Sequence, residues 1–186
     1  MGSVKRRGGL VRIGLDDPEV VLLASLVAQV LELLGGSAEA APRDPVEALL
    51  TLPPQAEVET PQDPVLARLL PDAYRDDADA AGEFRRLMDG ELRAQKCAVL
   101  RRVLDDLATG RRKGGELRLE LDSEAASEWL YAINDVRLTL GTTLGVTEEI
   151  LDEVAELEPD SPRFLQLGIY DWMTWLQDAM VRSLAD

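Results

Sequence analysis

Two stretches, far apart in the chain, spell nearly the same thing: "KRRGGLVRIGLDDPE" from Lys5 and "RRKGGELRLELDSE" from Arg111. Each runs through cations, Gly-Gly, an alternating segment, an aspartate and a helix-forming run. In "GLVRIGL", Val11, Ile13 and Leu15 fall on one side of a strand and Arg12 and Gly14 on the other, the period-two signature of a half-buried strand. In "GELRLEL", Leu117, Leu119 and Leu121 alternate against Arg118 and Glu120 in the same way. Two short strands are not stable apart, so they are expected to pair directly in one small sheet covered on its apolar side by helices. The pattern is compatible with parallel or antiparallel pairing.

Helix signals fill most of the remainder. Asp16 or Asp17 caps, Pro18 fits the first turn, and "EVVLLASLVAQVLELLGG" predicts an apolar helix ending at Gly35-Gly36. Asp122 or Ser123 caps a second helix carrying "EAASEWLYAINDVRLTLGTTLG" to Gly145. A long helix is expected over about Asp76 to Ala108, with an apolar stripe of Cys97, Leu100, Val103, Leu104 and Leu107. The last, about Arg163 to Ala185, places Leu165, Ile169, Trp172, Met173, Leu176, Met180 and Leu184 on one face. Between about residues 37 and 63 prolines and acids crowd together, predicting a loop with one short helix near Pro45 to Leu50; a second short helix is expected over about Pro64 to Leu70. Glu148 to Glu158 reads as an acidic turn or short helix with a solvated face, and lacks the ligand pattern of a calcium loop. The expected fold is mainly α with a small β-sheet, α+β, built from about four longer helices, as a single helix-rich domain spanning residues 1–186. That length and an apolar share of 46% suit one core.

Composition removes whole classes of chemistry. There is no histidine, which eliminates the commonest general base and metal ligand and the Ser-His and Cys-His nucleophile pairs. One cysteine forbids an intrachain disulfide and suits a cytoplasmic protein. The formal charge of -15 opposes broad contact with a phosphate backbone. Lys5 to Arg7 followed by the apolar run from Val20 resembles a signal peptide, but Asp16, Asp17 and Glu19 stand between the two parts. The run is also too short to cross a membrane before Glu32, given the roughly 20 residues needed.

A few residues remain as site candidates. Arg6, Arg7, Arg111, Arg112 and Lys113, with Arg12 and Arg118 on the strands' polar faces, could bind anions. They converge into one patch if the strands run parallel and lie at opposite ends if antiparallel. The plainer reading is solvated charge that discourages edge-to-edge aggregation. No Gly-Lys-Ser or Gly-Lys-Thr follows either Gly-Gly, so neither is a phosphate loop. Trp172 is central to the last helix's apolar arc and reads as core, while Trp175, beside Phe164 near its edge, is a candidate partner anchor. Cys97 lies on an apolar stripe and reads as a buried small hydrophobe. Its sharper reading is a redox-active thiol with Arg93, Lys96 and Arg101 nearby, long side chains expected to extend to solvent.

The stretches "FRRLMDGELRAQKCAVLRRVLDDL", "RLTLGTTLG" from Arg137 and "YDWMTWLQ" from Tyr170, with the first strand-helix unit, resemble an actinobacterial family filed as a domain of unknown function. Its genes commonly sit beside that of the ClpS protease adaptor, and its members are called AosR-like, for actinomycete oxidative-stress regulator. The resemblance runs from about Leu10 to Leu184. It implies a cytoplasmic, non-enzymatic regulator without cofactor or catalytic residues, whose partner is an alternative sigma factor or a protease-adaptor component. With Cys97 alone, disulfide sensing within one chain does not carry over. The strongest rival reading is a nucleic-acid-associated protein using the basic patch, and a weaker one is an enzyme using carboxylates only.

Overall fold

The two Gly-Gly pairs turn out to be hairpin turns. Gly8 and Gly9 adopt φ of 61° and 81°, and Gly114 and Gly115 64° and 79°. Two consecutive residues at positive φ are what a two-residue type I′ connection requires, and glycine takes that conformation without steric cost. In the computed structural model, which describes residues 2–35, 63–70, 78–147, 150, 154–155, 157–159 and 161–185, with only the backbone for 78–89, each turn therefore joins two strands. Ser3–Arg7 (β1) pairs with Leu10–Asp16 (β2), and Arg111–Lys113 (β3) with Glu116–Leu121 (β4). The expectation of two strands is corrected to four: both runs of cations are edge strands.

The sheet is antiparallel throughout, in the order β1-β2-β4-β3. The predicted direct pairing of the two alternating segments is present, with Val11 opposite Leu121, Ile13 opposite Leu119 and Leu15 opposite Leu117. Because partners in register share a face, those six side chains form one apolar layer, and all six are buried.

Helices cover that layer from one side. Asp16 accepts from the Glu19 amide while the Glu19 side chain accepts from the Asp16 amide, a capping box that starts helix Asp17–Leu33 (α1). Asp63 caps Pro64–Leu69 (α2), and Ala78–Thr109 (α3) is the longest helix. Asp122 caps Ser123–Thr143 (α4), and Pro162 opens Pro162–Ala185 (α5). The expected helix near Pro45 to Leu50 and most of the acidic tract from Glu148 lie outside the described residues.

The helical layer packs α1 on α3 and α4, α4 on α2, α3 and α5, and the last helix on β1. Cys97, Leu100, Val103 and Leu107 bury the α3 stripe, while Leu104 is half-buried. Met173, Leu176 and Met180 do the same for α5, but Leu165, expected on that face, is 58% exposed. In the same first turns Leu167 is buried, so the apolar arc is covered on one side and open on the other. Among the described residues no helix is long and apolar enough to cross a membrane.

Candidate functional site

Burying one face of an alternating sheet forces the other face outward. Register assigns Lys5, Arg7, Arg12, Arg111, Lys113 and Arg118 to the outward face, with Asp16, Glu116 and Glu120. Six cations against three carboxylates is a reversal of sign in a chain of net charge -15. All three carboxylates are engaged, Glu120 with Arg12 at 2.9 Å, Glu116 with Arg118 at 2.7 Å, and Asp16 with the Glu19 amide as the cap of α1. Lys5, Arg7, Arg111 and Lys113 form no ion pair among the described residues, and all four are exposed. The face is concave, with a groove of about 350 Å³ between Ser3, Lys5, Arg7 and Arg12 on one side and Arg118 and Glu120 on the other. Gly14 makes its floor: a Cβ there would land on the Glu116 carboxylate and 2.8 Å from Ser3 Oγ.

The candidates named from sequence divide between the two faces. Arg7, Arg111 and Lys113 belong to the groove side. Arg6 and Arg112 point toward the helices. Arg6 Nη1 donates to the carbonyls of Ser183 and Leu184 at 3.2 and 3.3 Å, where the end of α5 needs donors, and Arg112 pairs with Asp17 at the start of α1. Antiparallel pairing places the two glycine turns at opposite ends of the sheet, so the cationic runs do not converge end to end. They spread over one face instead, which the sequence conceals because each run divides between faces by alternation.

A second surface is apolar. Pro18, Glu19 and Leu22 at the start of α1 and Phe164, Leu165, Gly168, Ile169 and Trp172 on α5 line a groove of about 360 Å³. Here Trp172, read from sequence as core, is half-buried and lines the groove, and its indole Nε1 is covered without a hydrogen-bond partner among the described residues. Trp175 is also half-buried, packed against the core and outside that lining. Phe164 stands at the groove's edge as half-buried surface.

Cys97 is 5% exposed. Lys96 does not extend to solvent as expected, for its Nζ lies 2.7 and 2.8 Å from the two Asp135 oxygens. Burial pushes the Asp135 carboxyl above its ordinary range, and the Lys96 ammonium partly pulls it back. Arg93 likewise turns inward to donate to the Leu34 carbonyl at 3.3 Å. Trp129, which no sequence argument singled out, is 1% exposed and donates from Nε1 to Asp106 at 2.7 Å. The Lys96–Asp135 and Trp129–Asp106 pairs fasten α3 to α4, Arg93 ties α3 to the end of α1, and none presents a reacting group to solvent. The two sequence stretches most specific to the suspected family also meet: Arg137 Nη1 donates to the Tyr170 hydroxyl at 3.0 Å, and the guanidinium sits 5.8 Å from the ring centroid. No group of three His, Cys, Asp or Glu fit to hold a metal occurs among the described residues.

Comparison with known proteins places this architecture. The chain is 30% identical to the oxidative stress regulator AosR of Mycobacterium tuberculosis and of Mycobacterium bovis, over 98% of its own length and 89% of theirs. It is 32% identical to the Mycobacterium leprae counterpart of that regulator, over 89% of this chain and 78% of the relative. No solved structure matches it. A family profile described as a domain of unknown function, DUF2017, matches residues 1–184, and the chain belongs to that family.

Proposed function

We propose that this protein is a non-enzymatic regulator of the oxidative-stress response that works in the cytoplasm by binding a protein partner. The observation that carries this reading is the nearly full-length likeness to mycobacterial proteins named oxidative stress regulators. The family resemblance suggests an alternative sigma factor as partner, with a protease-adaptor component or a second copy of the chain as other candidates. Two features support contact rather than chemistry. A histidine-free composition removes the commonest general base, and two surfaces depart in opposite directions from the acidic exterior, one cationic and one apolar. Disulfide switching within the chain is closed to Cys97, which is single and buried.

The test is affinity purification of the tagged protein from an actinobacterial host with and without peroxide. Enrichment of a sigma factor, reduced by Leu165→Glu in the apolar groove, is the expected result. Recovery of DNA alone, retained after nuclease-free washing at low salt and released at high salt, would favour the rival nucleic-acid reading, which rests on the same cationic face.

A further inference from the structure

We infer that the open face of the sheet is a docking surface for an acidic, extended segment of a protein partner. The inference rests on the regulatory reading above and gives its partner a chemistry and an address. Four exposed cations, Lys5, Arg7, Arg111 and Lys113, face the same way without a carboxylate among the described residues. In a chain with 35 acidic residues against 20 basic ones, unneutralised cations gathered on one face are the arrangement least expected from composition. Arg12 and Arg118 add two more charges, held upright by Glu120 and Glu116, and the Arg12 Nε is covered with no acceptor.

Shape agrees with charge. Gly14 carries no side chain, and Ser3 Oγ and the Glu116 carboxylate close over it as the floor of the groove, with the Lys5-Arg12 pair on the β1–β2 side and the Arg118-Arg111 pair on the β4–β3 side. Strands of five to seven residues make a face roughly 20 Å long, the span of a short extended segment. Carboxylates crossing the face meet the guanidinium forks of Arg7 and Arg111, the geometry arginine binds bidentately.

Nucleic acid fits less well. Glu116 and Glu120 within the patch oppose phosphates and carboxylates alike, but a duplex, larger than the face, would also run its phosphates into the negative field of the surrounding surface. A short acidic segment stays on the face and meets that field less.

The experiment is fluorescence anisotropy of the full chain with a labelled Asp/Glu-rich peptide of about twelve residues, long enough to cross the face, titrated against salt. Wild-type protein should bind, and salt should weaken the complex. Lys5→Glu combined with Arg111→Glu should weaken binding at least about ten-fold, with the melting temperature preserved as the control for folding. Glu120→Gln should strengthen it about two-fold by freeing Arg12. Failure of the wild type to bind, persistence of binding in the double variant, or tighter and equally variant-sensitive binding of a short DNA duplex would each overturn the inference. If the double variant loses the peptide yet keeps a sigma factor found with the wild type, the face is wrong as the regulatory contact while the regulatory reading stands. If the wild type binds peptide but co-purifies with no protein, the reverse holds.

Discussion

The two faces of the four-stranded sheet are made by the same strands and have opposite roles. Moving one residue along β4, from Arg118 to Leu119, exchanges an exposed cation for a buried leucine. The six residues that β2 and β4 turn to the covered face are redundant in their chemistry, all valine, isoleucine and leucine, and gain their stability from area removed from water. The open face has no such reason to be uniform, since a solvated sheet surface tolerates either sign. That it is cationic on an acidic protein separates it from the remaining exterior, where the negative charge resides. Stability is therefore expected to depend on one side of the sheet and recognition on the other.

The largest expected effect comes from breaking the covered face. Ile13→Asp or Leu119→Asp buries an unpaired charge between sheet and helices, at a cost of about 4 kcal/mol or more, and the domain should be unfolded or nearly so by circular dichroism. A folded Ile13→Asp variant would mean that the helices do not seal the sheet.

Next comes the α3–α4 fastening. Lys96→Met leaves the Asp135 carboxylate buried without its cation, a change worth about 3 to 5 kcal/mol at neutral pH. Since burial already raises the Asp135 pKa in the folded state, the folded protein holds that proton more tightly than the unfolded chain. Ionising Asp135 therefore costs stability, a cost absent below the ordinary carboxylate range and fully present above the raised value. Without its cation Asp135 is raised further in the variant, so the Lys96→Met loss should shrink as pH falls from the variant's value towards the wild type's, which urea unfolding at neutral and mildly acidic pH would reveal. A loss independent of pH would place the effect of Lys96 in its packing instead.

Smaller effects follow. Trp172→Ala and Trp175→Ala, both half-buried and packed against the core, should each cost about 2 kcal/mol in thermal unfolding, while only Trp172→Ala widens the apolar groove. A loss confined to Trp172 would return it to the core role its helical arc suggested. Cys97→Ser should be small in stability, and native Cys97 should react with thiol reagents only as fast as the chain opens, because its sulfur is buried. Rapid labelling of the folded protein would reinstate a redox role.

Much of the fold was legible because local rules agreed with one another. Alternation marked β2 and β4, and Asp16 and Asp122 stood where helix starts need acceptors. What was lost had no local signature. Lys5 to Arg7 and Arg111 to Lys113 carry no apolar alternation, so their strands follow only from recognising Gly-Gly as a turn between strands rather than before one. Leu165 and Trp172 lie on a regular apolar arc, and nothing in that periodicity tells where covering elements stop. Lys96 and Asp135 are 39 residues apart, so their meeting depends on helix packing. The site suffered most: the cations could be named, but their division between faces needed the register.

The most direct measurement compares neighbours on β4, Arg118→Gln and Leu119→Asp, by urea unfolding and by binding to the acidic peptide. Arg118→Gln should unfold within about 0.5 kcal/mol of the wild type and bind the peptide several-fold more weakly. Leu119→Asp should lose the folded state outright. Equal destabilisation by the two substitutions, or a stable Arg118→Gln protein with undiminished binding, would contradict a division of labour between the faces.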